Sequence, residues 1–253
     1  MLRFAVVAIV WLQFAGVASG RSVWLSSSTG HSGVIREYDV DSGEELSSFT
    51  VPVSSIDGLS YDQRGHLWAL TEGRGRVLQY SRSGTLLRDV TLNGLPRSLE
   101  GLACIGENLL IASPGAKLYI EVDTSGQILR TVPMDTAWGY SGIAAGGGQV
   151  FAAGDTRLAV LDAATLTASS VRPFPTFGST GLAFDGQFLW TNYRDTIKAF
   201  DAHSLSEVHA FSVPNEFHEG MAVEFIPEPS TIALLTMGAF GVLAYGRRRR
   251  DVR

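Results

Sequence analysis

Four stretches of this chain are variations on one pattern. They are "IDGLSYDQRGHLWAL" from Ile56, "LEGLACIGENLLIAS" from Leu99, "YSGIAAGGGQVFAAG" from Tyr140 and "STGLAFDGQFLWTNY" from Ser179. Each sets a polar residue before Gly, then an aliphatic residue, a Gly-containing turn and an apolar pair. The repeat recurs about every forty residues, a period that belongs to propeller blades. A second pattern recurs between them, in "VLQYSRSGTLL", "LYIEVDTSGQIL", "LAVLDAATLTA" and "IKAFDAHSLSE". Asp follows the last apolar residue in three of these, as Asp123, Asp162 and Asp201. An Asp at a strand end bonds the backbone of the turn that follows, so these are turn formers rather than catalytic groups.

Two fragments remain. "HEGMAVEF", His218 to Phe225, is the first strand of a unit with nothing after it. Ser22 to Pro52 is a unit lacking its first strand, with Trp24 where others have Trp68 and Trp190, and Tyr38-Asp39 at the turn. Joined, they complete a fifth unit. The fold expected over 21–225 is therefore all-β: a five-bladed β-propeller whose last blade is closed by both chain ends, leaving no long unprotected sheet edge. Short runs of Val, Ile, Leu, Phe, Tyr and Trp between Gly, Ser, Asp and Asn fit such strands. Pro52, Pro133 and Pro214 close outer strands, where a missing N–H does little harm. A six-bladed ring with one degenerate blade and a β-sandwich are the alternatives; the forty-residue period argues against the sandwich. The resemblance over this region is to bacterial propellers of the NHL and YVTN type.

The two ends have a different character. Residues 1–20, with Arg3, an apolar stretch from Phe4 to Val17 and Ala18-Ser19-Gly20, have the form of a signal peptide. At the other end Pro227-Glu228-Pro229 precedes an uncharged run from Ser230 to Gly246, then Arg247, Arg248, Arg249 and Arg250. As a helix, 230–246 would cover roughly 25 Å, near the thickness of a hydrocarbon core. The arginines would stay on the cytoplasmic side and leave everything before Pro227 outside. A PEP triplet, one transmembrane helix and a terminal Arg cluster, in that order, resemble the PEP-CTERM sorting signal of bacteria, here 226–253. That resemblance implies recognition by an exosortase, a membrane-embedded cysteine transpeptidase-like enzyme, and either cleavage of the tail or its retention as an anchor.

Charge and cysteine content narrow the function. The chain carries a net charge of −5. Without Arg3, Arg247 to Arg250, Arg253, Glu228 and Asp251 the middle keeps 14 basic and 23 acidic residues, a net of about −9. That sign excludes nucleic acid as a natural partner. Cys104 is the one cysteine, so an exported domain must hold itself together by its core alone. In "GLACIG" it is expected to be a small buried hydrophobe rather than a nucleophile.

The position before the repeated Gly holds Asp57, Glu100, Ser141, Thr180 and Glu219. At the channel mouth, Glu219, Asp57 and Glu100 would fall on three consecutive blades. Converging carboxylates would bind a hard cation such as Ca²⁺, with Asn192 as a further oxygen ligand; equally, they would cap inner strands and face water. Arg74, Arg76, Trp138, Tyr140, Arg157, Tyr193, Arg194 and His218 are expected on loops of the same face, where Arg and aromatic groups suit sugars or peptides. No P-loop, HExxH or Cys-x-x-Cys is present. Two functions follow. The favoured one is a non-enzymatic binding or interaction module in the cell envelope or exopolysaccharide matrix, with a glycan or protein partner and no certain cofactor. The alternative is a metal-dependent hydrolase or lyase similar to lactonase propellers, in which a divalent ion activates water. Those propellers are typically six-bladed, and their full ligand set has no counterpart here.

Overall fold

A computed structural model describes residues 21–28, 32–71, 75–134, 141–154, 156–175, 181–193, 195–214 and 218–224. The signal-peptide and sorting-signal segments lie outside this range, as do Arg74, Trp138, Tyr140, Thr180 and Arg194.

Within it the chain forms twenty strands in five four-stranded sheets. Blade 2 is β4 (Ile56–Tyr61), β5 (His66–Thr71), β6 (Arg76–Ser81) and β7 (Leu86–Thr91). Blade 3 is β8 (Gly101–Ile105), β9 (Asn108–Ser113), β10 (Leu118–Val122) and β11 (Ile128–Pro133). Blade 4 is β12 (Gly142–Gly146), β13 (Gln149–Gly154), β14 (Arg157–Asp162) and β15 (Ala168–Pro173). Blade 5 is β16 (Leu182–Phe184), β17 (Phe188–Tyr193), β18 (Thr196–Asp201) and β19 (Glu207–Ser212). In each, strands follow one another as an antiparallel meander from the centre outward. Blade 1 takes β1 (Ser22–Ser28), β2 (Gly33–Asp39) and β3 (Glu45–Val51) from one end of the chain and its innermost strand, β20 (His218–Val223), from the other. The five-unit count and the split closing blade both hold.

The burial pattern follows from this stacking. Strands β5, β9, β13 and β17 carry continuous buried runs because a neighbouring blade covers each face. The outer strands β3, β7, β11, β15 and β19 are mostly exposed. The hydrophobic core is accordingly divided among the seams. Val23, Tyr38 and Met221 of blade 1 pack with Trp190 and Ile197 of blade 5. Trp24 and Ile35 meet Leu67, Leu78 and Tyr80 of blade 2. Trp24, Trp68 and Trp190 are all but fully buried and stand at one repeat position: each pairs with the residue two places after its blade's repeated Gly, namely Ala222, Ser60 and Ala183.

The turn aspartates behave as expected. Asp39 Oδ1 accepts from Ser42 N (2.8 Å) and Asp41 N (3.1 Å). Asp162 Oδ1 accepts from Thr165 N, and Asp201 Oδ1 from Ser204 N. Asp123 Oδ1 takes Ser125 N, Ser125 Oγ and Gln127 N. Among the described residues no helix is long and apolar enough to cross a membrane; the run from Ser230 to Gly246 lies outside them.

Candidate functional site

The inner strands close a ring. Strand β20 packs on β4 and β16, β8 lies between β4 and β12, and β12 meets β16. The repeated Gly makes that ring possible. A Cβ on Gly58 would stand 2.8 Å from Leu102 N and Cβ, and one on Gly220 2.8 Å from Leu59 N. Each inner strand thus lies against the backbone of the next blade, closer than any side chain permits. The aliphatic residue after each Gly, Leu59, Leu102, Ile143, Leu182 or Met221, is buried in a different seam between blades. At the centre, residues of all five inner strands line a cavity of about 30 Å³.

Asp57, Glu100 and Glu219 precede the repeated Gly of three blades, and the strand pairing is irregular at each. The β4–β5 register shifts between Ile56 and Gly58, so Asp57 is the extra residue. The β20–β1 register shifts between Leu25 and Ser27, leaving Ser26 opposite both Glu219 and Gly220. Glu100 N donates to Ala112 O (3.0 Å), although Ala112 already pairs with Gly101. Bulges of this kind re-aim side chains.

Ser55 joins two of them. Its buried hydroxyl lies 2.7 Å from Glu219 Oε2 and 3.1 Å from Asp57 Oδ1. It has one proton to give, so it bonds one carboxylate at a time. Burial, followed by the charge of Glu219, holds the Glu100 carboxyl above its ordinary range. Ser55 thus links Glu219 of blade 1 with Asp57 of blade 2, and Glu100 of blade 3 feels the charge of Glu219. Among the described residues, however, no group of three or more His, Cys, Asp or Glu is arranged to hold a metal ion. Asn192 is engaged within the fold, where its Oδ1 accepts from Gly181 N at 3.1 Å, deep in blade 5.

Other candidate residues scatter. Arg76 turns outward, with Nε on Asp89 Oδ1 at 2.5 Å, away from the mouth. Arg157 is exposed at the start of β14 and Tyr193 at the end of β17. His218 begins β20 opposite Ser27. Two residues not anticipated from sequence matter here. One is Ser55. The other is Ser26, whose buried Oγ accepts from Gly220 N (2.8 Å) and donates to Ile56 O (3.0 Å), tying the closing strand to blade 2. Cys104 lies on β8, its N–H on Ser60 Oγ at 2.8 Å; burial pushes its thiol up to about 12.

Comparison with known proteins agrees with this architecture. Residues 225–250 match the PEP-CTERM protein-sorting motif. No curated protein matches the chain. A chain in the crystal structure of a nidogen/laminin complex is similar in fold, with TM-score 0.57 and 12% identity over 81% of this chain and 99% of that one. A Pan2 WD40 domain from Neurospora crassa aligns at TM-score 0.48 and 14% identity, over 78% of this chain and 67% of that one. At such identities the likeness concerns the fold and leaves function to the site. The chain thus carries a PEP-CTERM sorting motif directly behind a five-bladed β-propeller, the mark of an exported protein held at the membrane before an exosortase processes it.

Proposed function

We propose that this protein is a non-enzymatic binding module of the envelope or extracellular matrix, presenting the mouth face of its propeller to a glycan or protein partner. One observation carries the reading: both chain ends leave on the face opposite the mouth. Val23 at the start of β1 pairs with Val223 at the end of β20, whereas Glu219 stands near the other end of that strand. The sorting motif begins two residues after Val223. The seven residues from Val223 to Ser230 span at most about 25 Å even fully extended. An anchored chain therefore stands with its end-bearing face toward the bilayer and its mouth outward.

Connection lengths agree. The turns on the end-bearing face are short, such as 82–85 and 147–148. The long connections 92–100, 134–141 and 174–181 join strand ends of the mouth side, and binding groups concentrate on loops held by a rigid scaffold. Arg157 and Tyr193, exposed at mouth-side strand ends, are the proposed contact groups; Arg74, Trp138, Tyr140 and Arg194 lie outside the described residues. The metal-dependent hydrolase reading gains no comparable observation.

The test is binding of the unprocessed full chain, in detergent, to exopolysaccharide from the producing cell, beside an Arg157→Ala, Tyr193→Ala variant. Binding that weakens in the variant is the expected result; binding of neither form would sink the glycan version. Processing is checked by mass spectrometry of the envelope form. Loss of the peptide from Thr231 to Arg253 is expected where an exosortase is present, and an intact C-terminal peptide there would argue for retention as an anchor.

A further inference from the structure

One row of paired residues crosses each blade, and three of the five rows end on a long side chain, Arg88, Arg130 or His209. In blade 3 the row runs Leu110, Glu121, Arg130. Arg130 Nε bonds Glu121 Oε2 (2.6 Å), and its Nη2 reaches Ala163 O of blade 4 (2.9 Å). In blade 5 the row is Trp190, Ala199, His209, and His209 Nε2 lies 2.7 Å from Val40 O of blade 1. In blade 1 it is Trp24, Glu37, Ser47, and Arg82 of blade 2 closes the seam by pairing with Glu37. Blade 2 has Trp68, Gln79, Arg88, with a crevice of about 290 Å³ toward blade 3.

In blade 4 the row is Phe151, Val160, Ser170; Phe151 meets Phe184 of blade 5, but the row ends outward on the short Ser170. The seam there opens into a crevice of about 730 Å³, within the 300–1,000 Å³ range of ligand sites. Its floor is apolar: half-buried Phe184, its ring centroid 4.8 Å from that of buried Phe151, and half-buried Val160. Its rim is polar, with exposed Gln149 from one blade and Gln187 from the other. The charged groups at the edge already have partners. Arg172 donates to His203 O (2.6 Å), and Asp201 Oδ1 is held by its turn.

We infer that this crevice between blades 4 and 5 is a second binding site, taking a short stretch of a neutral polyhydroxylated ligand, a glycan segment. An aromatic and aliphatic floor accepts the C–H face of a sugar ring. Glutamine amides offer both donors and acceptors to hydroxyls around it. Nothing in the lining selects for net charge on the ligand. The site stands apart from the mouth face and goes beyond the function proposed for that face.

The experiment titrates the full chain in detergent with cellotriose, maltotriose and triacetylchitotriose, read by saturation-transfer difference NMR and calorimetry. A Ser170→Arg variant puts a long side chain at the position of Arg130 in blade 3 and fills the gap while leaving Val160 on its core cluster. At least one trisaccharide is expected to bind, and the variant should bind it at least about tenfold more weakly with no loss in thermal midpoint. Gln149→Ala should weaken binding without filling the gap, so a misfolded filled variant would not decide the question. No binding by any of the three sugars would overturn the proposal, as would equal binding by variant and wild type. Binding lost in Arg157→Ala, Tyr193→Ala but kept in the filled variant would also overturn it while leaving the mouth-face function intact. Binding only of an extended peptide along β15 would do the same.

Discussion

Gly101 and Ser141 lie closer than any larger residue at position 101 permits: a Cβ there would stand 2.3 Å from the Ser141 carbonyl oxygen. The oxygen belongs to the backbone of the neighbouring blade and cannot rotate away. Gly101→Ala must therefore separate blades 3 and 4 at the ring's centre. A cost of about 1–3 kcal/mol is expected from such overpacking. For a chain of this size that lowers the thermal midpoint by roughly 2–4 °C per kcal/mol. An unchanged midpoint would show that the inner strands do not need this approach.

The turn aspartates make stability depend on pH at the acid end. Asp39, Asp162 and Asp201 are held below the ordinary carboxylate range first by backbone hydrogen bonds from Ser42, Thr165 and Ser204, and Asp123 first by the hydroxyl of Ser125. A carboxyl whose folded pKa is depressed contributes stability above its unfolded value, here 3.8. That contribution is lost as pH falls below 3.8 through the folded values. The midpoint should therefore drop between about pH 5 and 3, and less steeply in a quadruple Asp→Asn variant, whose amides keep the acceptor without the charge. Parallel curves would contradict this.

At the mouth the sign is reversed. Burial and Glu219 raise the Glu100 pKa, so ionising Glu100 opposes folding. Glu100→Gln should raise the thermal midpoint at pH 7, with the gain disappearing below the unfolded value of 4.5 as both forms become neutral. Added Ca²⁺ should leave both midpoints unchanged under the binding-module reading. A Ca²⁺-dependent rise in wild type alone would place a cation among Asp57, Glu100 and Glu219 and restore the hydrolase reading, since a ligand of the native state must stabilise it.

Cys104 should resist alkylation. With its thiol pushed up to about 12, almost no thiolate exists at pH 8, and the thiolate is the reactive form. Iodoacetamide at pH 8 should label the denatured chain quickly and the native chain hardly at all, read by intact mass. Rapid native labelling would show that half-buried Cys104 is reached as a reactive thiol from the crevice between blades 2 and 3.

Much of the architecture was legible in the residues. The forty-residue period counted the blades, and the leftover fragments at Ser22–Pro52 and His218–Phe225 announced that the ring closes between distant ends. Both are local patterns, because each blade is a contiguous meander whose strands and turns choose their own residues. The Asp turns were legible for the same reason: Asp201 bonds a backbone only three residues away. The sorting motif needs no fold at all to be recognised.

What lies between blades was not legible. The repeated Gly stood out, yet only the ring shows that Gly58 is required by Leu102, a residue of the next blade. Arg76 looked like a loop group and is turned to Asp89 by the register of β6 on β7. Ser55 meets Glu219 across 164 positions of chain. Ser170, beside the crevice, is short where Arg88, Arg130 and His209 stand in three other blades, a comparison that exists only once the strands are paired. Local hydrogen bonding and hydrophobic alternation determine a blade from sequence; the seams and the sites depend on contacts between residues brought together only by closing the ring.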